Sequence, residues 1–86
     1  HAKRKLYYGV SEHEYYALLK EQGGGCAICG GLNESGNFLS VDHDHESGAV
    51  RGLLCNNCNA GIGLLKDSPE VLELARQYIL RSREEV

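Results

Sequence analysis

Two groups of side chains in this sequence have the types and spacing to do chemistry. The first is Asp42-His43-Asp44-His45, entered through Val41: two carboxylates and two imidazoles in four residues. The second is a pair of Cys-x-x-Cys motifs, Cys26 with Cys29 and Cys55 with Cys58, whose twenty-five-residue separation contains the polar cluster. Four thiolates in two short-spaced pairs suit a tetrahedral zinc ion with every coordination position filled. Such a zinc holds structure rather than substrate. The other reading is two disulfides. Pairing within each motif would close only very small loops, which give little stabilisation, and no secretory h-region is visible. Zinc is the expectation, with a binding free energy on the order of 10–16 kcal/mol going largely into folding.

The polar cluster is too rich in chemistry for a bland turn. Its members are too close in sequence to close on one ion unaided, so a site there needs a partner from elsewhere. Asn59, directly after Cys58, is the candidate, because a zinc clamp would fix it relative to Asp42 and His43. Carboxylate and amide oxygens suit a hard ion such as Mg2+. An imidazole ordinarily changes charge near neutrality and can take a proton from water. Strict strand alternation would put Asp42 and Asp44 on one side and His43 and His45 on the other. Which Asp faces a metal stays open on that basis, and Asp44 could instead orient a histidine or fix the turn.

The elements that must position these groups can be read in order. Residues 1–9 form a basic arm in which Lys3, Arg4 and Lys5 either touch phosphate or are simply solvated, with Tyr7 and Tyr8 tucked against the domain. Ser11-Glu12-His13-Glu14 is a capping box, with Val10 and Tyr15 at its staple positions, and predicts a helix over about 12–22. Tyr15, Leu18 and Leu19 give that helix one apolar face, and His13 is expected to be an exposed residue without a chemical role. Gly23-Gly24-Gly25 ends it. Asn33 to Asn37 reads as polar turn. Strands are predicted over 38–41 and 49–54, forming a β-hairpin around the polar cluster. A helix follows over about 55–66. Its Gly61 and Gly63 each cost roughly 1 kcal/mol relative to Ala, which suits close packing against the hairpin or a DNA strand. Ser68, Pro69 and Glu70 restart the chain as a last helix over 68–82. Its stripe of Val71, Leu72, Ala75, Tyr78 and Ile79 is expected to pack on the core.

Eighty-six residues make one small domain, 1–86, with a thin core. One Phe, no Trp and no Met leave five Tyr to supply the aromatic share, so a staple is needed. A net charge of −3 argues against a broad basic footprint. The charge is uneven: the first twenty residues carry Lys3, Arg4, Lys5 and Lys20 against Glu12 and Glu14, so any grip on nucleic acid is modest and local. No apolar run is long enough to span a membrane. The chain begins with His1 rather than Met, so the natural protein is expected to extend upstream.

Cys26 and Cys29, then Val41-Asp42-His43-Asp44-His45, then Arg51-Gly52-Leu53-Leu54-Cys55-Asn56-Asn57-Cys58-Asn59 together resemble the recombination endonuclease VII family of phage nucleases. That family sits in the HNH, or ββα-metal (His-Me finger), superfamily. The resemblance covers roughly residues 10–67, a nuclease core. It implies an α+β fold: a small zinc-stapled ββα-metal domain with an N-terminal helix, a β-hairpin, a catalytic helix and a C-terminal helix. It implies a DNA endonuclease that hydrolyses phosphodiester bonds. His43 would be the general base, and Asp42 with Asn59 would hold one catalytic Mg2+ or Mn2+. His45 would position or polarise the phosphate, and Arg51 would contact backbone phosphate. Cys26, Cys29, Cys55 and Cys58 would hold the structural Zn2+. The expected partner is DNA, duplex or branched, and no membrane. The expected setting is the reducing cytoplasm of a bacterium or phage-infected host. The family's resolvases dimerise through helices beyond the nuclease module, and this chain ends soon after its last helix. A nicking or weakly sequence-specific endonuclease is therefore the expected activity, and a monomer is among the possible states. The alternatives are a non-catalytic zinc-knuckle module that binds nucleic acid, or the catalytic piece of a larger junction-resolving nuclease.

Overall fold

The computed structural model describes residues 9–84. The expected arm over residues 1–9, with Tyr7 and Tyr8, therefore falls outside the described residues except for Gly9. The order is helix α1 (Glu12–Glu21), strand β1 (Ser40–His43), strand β2 (Val50–Leu54), helix α2 (Asn56–Leu64) and helix α3 (Pro69–Glu84). The class is α+β, and the hairpin followed by α2 gives the β-β-α order expected. Among the described residues, no helix is long and apolar enough to cross a membrane.

Helix α1 starts where its capping box does. The Glu14 N–H donates to Ser11 Oγ at 3.0 Å, and the Ser11 N–H donates to Glu14 Oε1 at 2.8 Å. Hydrogen bonding from the Ser11 backbone N–H, and then from its side chain, holds the Glu14 carboxyl below its ordinary range. Tyr15 is 1 % exposed and its hydroxyl donates to the Leu39 carbonyl at 2.8 Å, so a buried polar tip is satisfied while the ring fills the core. That core is Tyr15, Leu39, Leu53 and Leu54 with Cys26 and Cys55, flanked by Val10, Leu18, Leu19, Val41 and Ile62. Tyr16 and Tyr78 stay exposed, so Tyr15 alone among these carries the aromatic share of the core.

The first strand falls two residues later than expected. The Asn37 and Phe38 carbonyls are taken by the Asn33 side-chain amide, each at 3.1 Å, and that of Leu39 by Tyr15. The ladder begins only at Ser40. Asn33, read as turn material, is itself buried, and its Oδ1 accepts from the Asn56 N–H at 2.7 Å. One side chain thus fixes the loop before β1 and satisfies a helix N–H that has no intrahelical partner.

Strands β1 and β2 pair antiparallel, Ser40 with Leu54, Val41 with Leu53, Asp42 with Gly52 and His43 with Val50. Arg51 is the extra residue of a β-bulge. The outer edge of β2 is covered by Gln22, which the sequence did not single out. Its Oε1 accepts from the Leu53 N–H at 2.9 Å, and its Nε2 donates to the Leu53 carbonyl at 3.0 Å and to that of Gly25 at 2.8 Å. Leu53 is fully buried. Gln22→Ala leaves its N–H without that acceptor and is expected to cost about 1–3 kcal/mol, read from urea unfolding at fixed zinc. An unchanged midpoint would show that the edge is satisfied some other way.

Helix α2 ends in a Schellman reversal: Asp67 N–H to Ile62 O at 2.7 Å and Lys66 N–H to Gly63 O at 3.0 Å. Ser68 caps α3 through the Val71 N–H at 3.1 Å, as predicted. Two expectations fail here. The α3 stripe does not pack on the core: Val71, Tyr78 and Ile79 are 39, 68 and 50 % exposed, and Leu72 and Ala75 are only half-buried. The core is too small and too close to the zinc corner to reach beyond the first turns of α3. Nor do Gly61 and Gly63 pack against the hairpin, since a Cβ at either would meet nothing within 4 Å among the described residues.

Candidate functional site

The four cysteine sulfurs converge, with ligand atoms of Cys26, Cys29, Cys55 and Cys58 all within 4.8 Å of one another. Cys29 Sγ and Cys55 Sγ are 3.8 Å apart. That is the edge of a sulfur tetrahedron drawn around zinc at a Zn–S distance of about 2.3 Å. It is far beyond the roughly 2.05 Å of a disulfide. The backbone wraps the sulfurs. Ile28 N–H donates to Cys26 Sγ, Gly31 N–H to Cys29 Sγ and Cys58 N–H to Cys55 Sγ, each at 3.4 Å. Gly25 is required here, because a Cβ would run into the Gly30 carbonyl. Burial opposes ionisation of Cys26, yet N–H donors from Cys29, Cys55 and Ile28 bring its pKa down to about 6. Burial and then the neighbouring thiols push Cys58 up to about 12. The group accepts one negative charge and resists a second, and a divalent cation reverses that resistance. The donor chemistry and spacing fit zinc.

Cys55 is the N-cap of α2 and Cys58 lies in its first turn. Asn59 is the next residue. It is exposed, and it precedes Ile62 by three residues, so the two share one side of α2. Ile62 lines a pocket of about 330 Å3 together with Asp42, Arg51, Gly52 and Leu72. Through Ile62, helix α2 thus lies beside the strand that carries Asp42.

Asp42 is buried at 9 % exposure. Arg51 Nε donates to its Oδ2 at 2.7 Å and Nη2 to its Oδ1 at 3.2 Å. The other edge of the guanidinium is held by Asp67, Nη1 to Oδ2 and Nη2 to Oδ1, both at 3.0 Å. The hydrogen bonds from Arg51 keep the Asp67 carboxyl below its ordinary range, and those to Asp42 and Asp67 raise the already high pKa of Arg51. His43 ends β1 and is half-buried. Its ring sits against Gly9, whose φ is +82°, and a Cβ there would come 2.7 Å from His43 Nε2. Strand alternation does not continue past His43. Asp44 is in the turn, its Oδ1 accepting from the Glu46 N–H at 2.8 Å and the Ser47 N–H at 3.0 Å. The Ser47 and Glu46 bonds hold its carboxyl below the ordinary range. Asp44 therefore fixes the hairpin. His45 is exposed beside a cleft of about 520 Å3 that it lines with Arg51, Lys66 and Asp67.

The structure thus joins Asp42 directly to Arg51, groups Arg51 with His45 along one cleft, and sets the His43 ring against Gly9. Asp67 was not anticipated. Its partner is sixteen residues away, so no local spacing announces it.

Four converging cysteines and a hairpin followed by α2 define a small scaffold of the β-β-α order with a zinc-type corner. The chain belongs to the recombination endonuclease VII family, whose profile matches residues 1–81. It is 48 % identical over 73 residues to the Gene 59 protein of Mycobacterium phage D29, covering 84 % of this chain and 44 % of that protein. It is 45 % identical over 74 residues to the Gene 59 protein of Mycobacterium phage L5, covering 85 % of this chain and 45 % of that protein. The chain therefore spans less than half the length of these curated relatives. No solved structure matches it.

Proposed function

We propose that this chain is the catalytic module of an HNH-type, metal-dependent DNA endonuclease that nicks duplex or branched DNA with weak sequence preference. The observation that carries the reading is the geometry of α2. Its first turn is made by two zinc ligands, and the next residue, Asn59, shares a side with Ile62, which lines one pocket with Asp42. The donors there, a carboxylate and an amide oxygen, fit Mg2+ or Mn2+, hard ions that keep several waters. When bound, that ion supplies charge stabilisation at the phosphoryl oxygens and the leaving 3′ oxygen. Asp42 and Asn59 would hold it. His43 takes a proton from the attacking water as the water oxygen bonds to phosphorus. The P–O3′ bond breaks and a solvent proton goes to O3′, leaving a 5′ phosphate and a 3′ hydroxyl. His45 and Arg51, along the neighbouring cleft, bind the phosphate backbone. Four free thiols suit a reducing cytoplasm.

Zinc-loaded protein should convert supercoiled plasmid to nicked circles with Mg2+ or Mn2+. Supercoiled DNA left intact at every metal tested would instead support a non-catalytic binding module. The chain's coverage of less than half of its relatives favours one refinement, the catalytic piece of a longer nuclease whose other segments choose the DNA structure. Asn59→Asp should retain the fold, since a carboxylate near the N-terminus of α2 is tolerated. It should change the ratio of Mn2+- to Mg2+-supported rates. An identical metal profile would count against Asn59 as a ligand.

A further inference from the structure

The least explained feature is that one guanidinium is shared by two carboxylates. Arg51 uses Nε and Nη2 on Asp42 and Nη1 and Nη2 on Asp67, four hydrogen bonds of 2.7–3.2 Å. The cluster carries two negative charges against one positive, so it can still attract a cation. Both oxygens of Asp42 are engaged by Arg51, so a divalent ion and the guanidinium compete for the same carboxylate. Asp67 is held firmly for its part. Lys66 and Asp67 have φ of +64° and +55°. Left-handed backbone is unfavourable for non-glycine residues, and the Schellman bonds to Gly63 and Ile62 hold it in place. Asp67 also reaches Arg51 across the same cleft that His45 and Lys66 line.

We propose that Asp67 is a positioning residue for the divalent-ion site and acts through Arg51. It retains the guanidinium when an ion takes an oxygen of Asp42, so that Arg51 exchanges a carboxylate for the DNA phosphate instead of opposing the ion. This rests on the reading of Asp42 as a ligand. Without Asp67, Arg51 has Asp42 as its remaining carboxylate partner in the cluster. It then grips that residue harder and places an unbalanced positive charge beside the incoming ion. With Asp67 present, the guanidinium keeps a bidentate partner throughout.

The test is Mn2+ binding to zinc-loaded protein without DNA, followed by electron paramagnetic resonance, in a double-mutant cycle. Asp67→Asn suits the left-handed position, because Asn tolerates it. It should weaken Mn2+ binding on the order of tenfold, as changes in residues that support metal ligands do. Arg51→Gln should tighten binding. In the Arg51→Gln background, Asp67→Asn should change the affinity less than about twofold, since coupled residues are not additive. A loss of the same size in both backgrounds would mean that Asp67 acts by its charge alone and would overturn the proposal. So would an Asp67→Asn variant with wild-type affinity. Asp42→Ala separates the two levels. If it leaves Mn2+ binding intact, the reading of Asp42 as a ligand fails. If it abolishes binding while Asp67→Asn has no effect, the inference about Asp67 alone fails.

Discussion

Removal of zinc by a strong chelator should unfold the hairpin and α2 together. Two of the buried core residues, Cys26 and Cys55, belong to the zinc-type cysteine cluster, and the remainder is Tyr15, Leu39, Leu53 and Leu54. A core of that size supplies only a few kcal/mol in a domain this small. A structural zinc contributes on the order of 10–16 kcal/mol, so its loss exceeds what the apolar contacts can offset. The metal would also tie the segment before the hairpin to the start of α2, alongside the Ala27–Leu53 and Asn33–Asn56 hydrogen bonds. Cys26 and Cys29 precede the hairpin, and Cys55 and Cys58 open α2. Without it, three further sulfurs crowd around a Cys58 thiol that already resists ionisation. Far-UV circular dichroism should show lost helix and strand signal once zinc release is verified, and zinc should restore it. An unchanged spectrum after verified loss would remove the structural role.

His43→Ala should lower the plasmid-nicking rate by about 10²–10⁴-fold, the range expected when a general base is removed. The residue is the last of β1, directly paired with Val50, and its ring lies against the Gly9 backbone. A strand end held by the ladder fixes an imidazole better than a loop does, and proton transfer depends on that geometry. His13, exposed on α1, controls for histidine content. His13→Ala should leave the single-turnover rate within about twofold, as expected of an exposed surface substitution. Equal effects of the two substitutions would mean that the base has been misassigned.

Much of this arrangement was legible in the residues. The capping box at Ser11, the zinc spacing and the Ser68-Pro69 restart are local signals, and each produced the element expected. What was not legible depends on partners far apart in sequence. Gln22 covers the edge of β2 through Leu53, thirty-one residues away. Asn33 reaches Asn56. Arg51 turns to Asp42 and Asp67 because a bulge removes it from the regular ladder. The start of β1 moved because side-chain amide and hydroxyl groups took carbonyls that alternation alone would assign to the strand. The apolar stripe of α3 misled for a different reason. Periodicity reports that a face exists, and among the described residues the small core does not extend far enough to cover it. Asp44, ambiguous in the sequence, is settled by two backbone N–H groups as the residue that closes the hairpin.

Two metals of different character are expected to serve separate ends: sulfur-bound zinc would hold the fold, and an oxygen-bound divalent ion would support the chemistry. The most direct measurement follows DNA cleavage, zinc content and circular dichroism in one sample as mild EDTA is added and then exceeded by Mn2+. Cleavage should stop while zinc and the spectrum stay unchanged, and it should return with Mn2+. Cleavage that continues in EDTA, or that stops only as zinc and structure are lost, would contradict the account.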